Sequence, residues 1–341
     1  MNPNQQNRQV HSQNIVACVW DFDKTLIPGY MQRPLFDYYN VDEKVFWSEV
    51  NQLPKLYFKR GMNVSSDTIY LNHLLSYVKN GPMRGLTNQK LEDLGNAIEF
   101  YPGLPQFFTE LADIPKIDEF ADYDFKLEHY IISTGISRII KGSKIAPYVD
   151  GIFACEFIES PLPPNFMSQT EFSLPLELEI SQVGKTVDNT IKTRYIFEIN
   201  KGSNKNPKID VNSFIPHEDR RIPMDQMIYV ADGPSDVPVF TVLRQMGGKT
   251  YAVYNPENEK EFVQTCDLVE RSRVHNNGPA DYRKSSPTSI WMKQKTTEIL
   301  RNMVKKRTDQ LNQRTGHPPT HIQESQYVSS SHPNRQETFW K

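Results

Sequence analysis

Val19-Trp20-Asp21-Phe22-Asp23-Lys24-Thr25-Leu26 places two carboxylates two residues apart, directly after the apolar run Ile15–Trp20. In an extended backbone, side chains at i and i+2 share a face. As the strand gives way to a loop, one carboxylate can meet a substrate while the other stands by to exchange a proton. Carboxylates this close call for a cation to relieve their repulsion, and a hard, oxygen-ligated ion such as Mg²⁺ suits them. An ordinary Asx turn after a strand has the same letters, so the weight falls on what the rest of the chain sets beside them.

Four further short apolar segments, 130–132, 151–154, Met227–Ala231 and 250–254, are rich in β-branched or aromatic residues and end abruptly in polar or Gly-containing sequence. They read as buried parallel strands. Helix-compatible stretches at 104–111, 193–200 and Val237–Gln245 alternate with them, which predicts an α/β protein: a Rossmann-like parallel sheet with helices on both faces. On such sheets ligand chemistry sits at the carboxyl ends of the strands. The 130–132 strand ends in Ser133-Thr134-Gly135, a hydroxyl and a flexible turn suited to a phosphoryl oxygen. Met227–Ala231 ends in Asp232-Gly233-Pro234-Ser235-Asp236, a second carboxylate pair across a tight turn. A turn or helix cap explains either one alone; three such strand ends in order point to one site.

Between 28 and 101 the spacing of Ile69, Tyr70, Leu74, Leu75 and Val78, and of Leu91, Leu94 and Ile98, is helical. The sequence therefore divides into a disordered N-terminus at 1–13, an α/β core at 14–28 and 101–270, and an inserted helical module at 29–100. Within the core, 156–185 reads as a Pro-rich second insertion in which Leu176, Leu178 and Ile180 alternate with glutamates, as in a half-exposed strand or flap. A basic helical extension follows at 271–310, and 311–341 is too polar to offset the entropy of ordering and reads as a disordered tail.

The 341 residues carry a net charge of −2 and are 38% apolar. The near-neutral balance argues against a dedicated nucleic-acid binder. The local exception is 271–307, with ten Lys and Arg against two acids; it reads either as a helix lying on the acidic body or as a binding element for nucleic acid or an acidic partner. No run reaches the length of about 18 apolar residues that a membrane span needs. Cys18, Cys155 and Cys266 are widely spaced, with no metal-type pairing. They read as reduced thiols of a cytoplasmic protein.

The order and spacing of these motifs resemble the haloacid dehalogenase (HAD) superfamily over roughly residues 15–269. Asp21-Phe22-Asp23-Lys24-Thr25 looks like the family's first motif, Ser133 its second and Asp232-Gly233-Pro234-Ser235-Asp236 its fourth. The helical module resembles the cap of the phosphoserine phosphatase-like branch. The third motif is a lysine, for which Lys185, Lys192 and Lys201 are available; Lys192, before the 193–200 helix, fits a helix start best. The resemblance implies a Mg²⁺-dependent phosphomonoester hydrolase acting on a small phosphorylated metabolite through an aspartyl-phosphate. Asp21 would be the nucleophile and Asp23 the general acid and base. Ser133 and Lys192 would bind phosphoryl oxygens; Asp21, the Asp23 carbonyl and Asp232 would hold the metal, supported by Asp236. A phosphotransferase or phosphomutase would use the same intermediate.

Overall fold

Every residue of Ile15–Trp20 is buried. A run with no polar face belongs in the middle of a sheet covered on both sides, and that is where the computed structural model places it. The structure describes residues 12–168 and 178–314, with side chains to 310.

Among the described residues the chain runs from β1 (Ile15–Trp20) into four helices, α1 (Arg33–Tyr39), α2 (Glu43–Phe58), α3 (Ile69–Asn80) and α4 (Asn88–Gly95), then α5 (Gln106–Ala112) and β2 (Lys126–Ile136). It continues through α6 (Ser137–Gly142), β3 (Gly151–Glu159), β4 (Ile180–Lys185), α7 (Asn189–Lys201), β5 (Met227–Ala231) and α8 (Val237–Gln245). It closes with β6 (Lys249–Tyr254), α9 (Glu259–Glu270), β7 (Asn276–Pro279) and α10 (Pro287–Arg314). The strands form one sheet in the order β4-β3-β2-β1-β5-β6-β7. Neighbours are parallel, except that β4 is antiparallel to β3. The chain steps outward from β1 in one direction through β2 to β4 and in the other through β5 to β7. β1 is therefore the switch point, beyond whose carboxyl end a crevice opens.

Trp20 makes that strand end rigid. Its indole stacks on Phe108 at 4.9 Å, meets Tyr282 edge-on, and donates from Nε1 to His129 Nδ1 at 3.2 Å. His129 stacks on Phe108 in turn, and its Nε2 lies 3.0 Å from the Phe108 carbonyl. With Nδ1 accepting, the neutral tautomer must carry its proton on Nε2. Burial pushes this imidazole down to about 4, so it stays uncharged. Tyr282 then donates to the Thr25 carbonyl at 2.6 Å, tying the loop after β1 to the core.

The 29–100 segment is helical, as its spacing predicts, and α1 and α2 join the two helices that the spacing marks. Its last helix interlocks with the core. A Cβ on Gly142 of α6 would come within 1.7 Å of the Glu92 carbonyl oxygen, and one on Gly95 of α4 within 2.2 Å of that of Ile139. Only two glycines allow the backbones to approach so closely.

Three details depart from the sequence reading. The region after β3 is an antiparallel hairpin whose returning strand begins at Ile180, the last residue of the 176–180 alternation, and runs on to Lys185; Leu176 and Glu177 lie outside the described residues. β7 is a short edge strand of composition Asn-Asn-Gly-Pro that no apolar run announces. Helix α10 continues to Arg314, past the expected boundary at 310. The remainder of the expected tail, 315–341, and residues 1–11 lie outside the described residues.

Helix α10 lies on the body. Trp291, Met292, Ile299, Leu300 and Met303 are buried, and the cations beside them reach acids of other elements. Lys293 pairs with Glu110, Arg301 with Glu119 and Lys306 with Asp225. Among the described residues no helix is long and apolar enough to cross a membrane. Cys18, Cys155 and Cys266 are free, the first two buried.

Burial of α10 gives a paired test. Leu300 is 0% exposed and Ile290 is 56% exposed. Leu300→Ala should lower the unfolding free energy by about 2–5 kcal/mol, as core truncations do, and Ile290→Ala by less than about 0.5. Urea unfolding followed by circular dichroism measures both; equal losses would mean that α10 does not dock as described.

Candidate active site

The backbone N–H of Asp21 donates to the Val230 carbonyl at 2.9 Å, extending the β1–β5 ladder one residue past Trp20. That bond holds Asp21 in the line of the strand, almost wholly buried. The chain then turns, with the Leu26 N–H returning to the Phe22 carbonyl at 2.9 Å and Lys24 in the left-handed region at φ 57°. The turn sends Asp23 elsewhere: its Oδ1 accepts the Met31 N–H at 2.9 Å.

Register brings the other strand ends alongside. Trp20 pairs with Ile131 of β2 and with Val230 of β5, so Ser133 and Asp232 stand two residues further on each side. The expected turn at 133–135 is instead an irregular stretch of β2, which runs on to Ile136 with its pairing to β3 shifting register after Ile132. Ser133 is buried there, and its Oγ accepts the Gly135 N–H at 3.0 Å.

Helix α7 supplies the cation. Asp188 caps it, its Oδ1 accepting the N–H groups of Thr190 at 2.8 Å and Ile191 at 2.7 Å. Asx capping of this kind fixes where a helix starts, and the start puts Lys192 in the first turn, pointing inward. Lys192 is 1% exposed. Its Nζ donates to Asp21 Oδ1 at 2.9 Å and to Asp236 Oδ1 at 2.7 Å. The other two lysines go elsewhere: Lys185 lies over the Tyr195 ring at 4.8 Å, and Lys201 donates to the Val211 and Ser213 carbonyls.

Asp236 is the most enclosed carboxylate, at 0% exposure. Besides Lys192, its Oδ1 accepts from Tyr229 at 2.5 Å and its Oδ2 from Ser235 at 2.6 Å. Both oxygens are engaged by protein donors, so Asp236 braces Lys192 from behind. The sequence reading missed Tyr229 and Ser235. The one available signal was a phenol in an otherwise aliphatic strand, since a buried tyrosine hydroxyl needs a partner.

The electrostatics follow from one buried cation among four acids. Burial works against the Lys192 charge, but Asp21 and Asp236 outweigh it and hold the ammonium well above the usual lysine range. Burial pushes the Asp21 carboxyl up despite Lys192 beside it. Burial, then the charge of Asp21, pushes Asp23 up to about 8. Asp232, partly open to solvent, is held well above the ordinary carboxylate range by desolvation and by Asp21 and Asp236. One oxygen from each of Asp21, Asp232 and Asp236 can be chosen so that all three lie within 4.8 Å of one another. These are hard donors with excess negative charge, a set that fits a divalent ion such as Mg²⁺.

A cavity of about 910 Å³ opens beside Asp23 and is lined on the core side by Thr134 and Gly135 and on the other by α2 and α3. Tyr70 of α3 donates to the Thr134 carbonyl at 2.7 Å, bridging the two sides.

No protein-family model matches the chain. It is 40% identical over 289 residues to an uncharacterized protein of Borreliella burgdorferi, covering 83% of this chain and 97% of that one. Among solved structures it is similar to a probable phosphoserine phosphatase from Vibrio cholerae, with 13% identity, a TM-score of 0.46, and coverage of 86% of this chain and 68% of the other. It is also similar to a HAD family hydrolase from Salmonella enterica serovar Typhi, at 13% identity and TM-score 0.44, over 80% and 69% of the two chains.

Lys192→Met tests the cluster as a unit. Removing the cation leaves Asp21 and Asp236 buried against each other, and stability near pH 7.5 should drop by about 3–5 kcal/mol. The Asp21 carboxyl is already pushed up by burial and rises further without its cation, so the stability it withholds returns as pH falls through the raised value. The deficit should therefore shrink near pH 5. A deficit in urea unfolding that is the same at both pH values would show that the two carboxylates do not depend on Lys192.

Proposed function

We propose that this chain, which belongs to one family with the Borreliella burgdorferi protein, is a cytoplasmic phosphomonoester hydrolase of the HAD kind, acting on a small phosphorylated metabolite through an aspartyl-phosphate on Asp21. The observation that carries the reading is the unequal treatment of the two carboxylates after β1. Asp21 touches a buried ammonium, while Asp23, two residues on, is pushed up to about 8 and keeps a proton at neutral pH. A carboxylate pair whose environments split its protonation provides a nucleophile and a general acid from one residue type.

Asp21 and Asp232 through their carboxylates and Asp23 through its backbone carbonyl would hold Mg²⁺, with Asp236 behind them. The ion would supply positive charge to the phosphoryl oxygens and lower the repulsion that an anionic nucleophile meets.

The chain's own residues carry the steps. An Asp21 carboxylate oxygen attacks phosphorus as the bond from phosphorus to the ester oxygen breaks. Asp23 gives its proton to that oxygen, so the alcohol leaves neutral. Asp23, now a carboxylate, takes a proton from water as the water oxygen attacks phosphorus and the bond from phosphorus to the Asp21 oxygen breaks. Inorganic phosphate leaves, and Asp21 is free again. Lys192, fixed by Asp236, which Tyr229 and Ser235 hold in turn, keeps Asp21 oriented and offers its charge to the transferred group. Ser133 would bind a phosphoryl oxygen from the β2 side. The 29–100 module would act as a cap over the core formed by 14–28 and 101–270, excluding water and contacting the leaving group.

Asp21→Asn should abolish turnover of p-nitrophenyl phosphate in the presence of Mg²⁺ while leaving the circular dichroism spectrum unchanged. Wild-type turnover by the verified variant would rule out the covalent route. Chelation should remove activity and Mg²⁺ restore it, with Asp232→Ala needing far more metal; full activity in excess chelator would count against the metal assignment.

The pH profile of kcat/KM should be bell-shaped for a substrate with an alkyl alcohol leaving group. Activity rises with pH as Asp21 ionises, above the ordinary carboxylate range, and falls as Asp23 loses the proton it must donate. Asp23→Asn should lose about 10²–10⁴ in rate and with it the alkaline limb. An alkaline limb that persists in Asp23→Asn would assign the acid to another group.

A further inference from the structure

We infer that the alcohol half of the substrate carries a cationic amine and no carboxylate; this rests on the reading of the site as a phosphomonoesterase. The cavity beside Asp23 is where that half must lie, because its core wall, Thr134 and Gly135, continues from Ser133 and because Asp23, the acid for the leaving oxygen, lines it.

Three aromatic residues line the cavity as a continuous wall. Tyr30 and Trp47 have ring centroids 5.2 Å apart, and Trp47 and Tyr70 5.7 Å apart. Aromatic faces are negative and attract ammonium groups that have shed part of their water. The Lys24 ammonium already stands 5.4 Å from the Tyr30 centroid, so one ring of the wall has a cation over it within the protein itself.

The charged lining points the same way. With Asp23 protonated, Glu43 and Asp67 stand against Lys44 as the single cation of the lining, and no arginine lines the cavity among the described residues. A leaving group with its own carboxylate or second phosphate would meet more like charge than opposite, and it would find no guanidinium fork to bind it. An ammonium meets the reverse.

Gln32 supplies a further observation. It is 2% exposed, it lines the cavity, and its Oε1 has no hydrogen-bond partner. A buried acceptor without a donor is costly, and an N–H of a bound amine would satisfy it. The cavity volume far exceeds a two-carbon amino alcohol, so the selection is by charge and not by fit.

The test compares kcat/KM of the full chain with Mg²⁺ for O-phosphoethanolamine and phosphocholine against 3-phosphoglycerate, with p-nitrophenyl phosphate as the reference ester. The amine esters should exceed 3-phosphoglycerate by about tenfold or more, mainly through KM. The double variant Glu43→Gln/Asp67→Asn should raise KM for the amine esters and narrow that ratio. Hydrolysis of p-nitrophenyl phosphate with 3-phosphoglycerate equal to or better than the amine esters would overturn the inference and leave the phosphohydrolase reading standing. An unchanged ratio in the double variant would also overturn it. No hydrolysis of any ester would overturn the phosphohydrolase reading, and this inference with it.

Discussion

One buried ammonium holds the site together. Lys192 lies between Asp21 and Asp236, and three separate pieces of chain converge on it: the end of β1, the first turn of α7 and the turn after β5. In a desolvated interior, charges attract and repel far more strongly than in water, so this contact fixes the relative placement of all three pieces. The supporting details become intelligible from that constraint. Asp188 must start α7 where it does, or Lys192 would leave the first turn. Tyr229 and Ser235 must occupy the other lone pairs of Asp236, or a buried carboxylate would be left half satisfied. One lysine cannot neutralise Asp21, Asp232 and Asp236 together, and the negative charge left over would suit a divalent cation.

The two aspartates after β1 show how backbone geometry creates chemical difference. Asp21 continues the ladder beside β5 and so reaches Lys192. Asp23 follows the turn closed by the Leu26 N–H on the Phe22 carbonyl and is captured by the Met31 N–H before it can share that cation. Its pKa rises because desolvation and the neighbouring Asp21 charge are not offset. At Lys24 the turn uses a left-handed conformation that disfavours any side chain by about 1–2 kcal/mol. Its ammonium is held 3.5 Å from Glu261 on α9.

Much of this was legible in the sequence because the deciding features are local. Five strands announced themselves as apolar runs, and the carboxylates at their ends are short-range patterns. Helical spacing likewise marked α3 and α4. The elements unread or only roughly bounded take their identity from partners far away in the chain. β7 is a strand because β6 offers it an edge, not because Asn-Asn-Gly-Pro prefers extension. β4 reads as a half-exposed strand or flap, and only its antiparallel pairing with β3 sets its bounds. Tyr229 looks like any core aromatic until Asp236, seven residues on, comes back to meet it. The choice of Lys192 over Lys185 and Lys201 could be argued from helix phase. The contacts that separate the three, a carboxylate pair, an aromatic ring and two carbonyls, belong to tertiary structure.

The same scarcity of cations links the cluster to the cavity, but the physics differs at the two ends. Around Lys192 the charges are buried, poorly screened and locked by hydrogen bonds, so changing one disturbs folding as well as chemistry. At the outer end Asp67 is exposed and Glu43 half-buried, where water and salt reduce each interaction to a fraction of a kcal/mol or so. Charges of that kind add little affinity singly. They set the sign of the potential that an approaching group encounters, and so bias which partner enters more than how tightly it is held. A site built this way can keep its inner cluster fixed while the charges at its exposed end bias what enters.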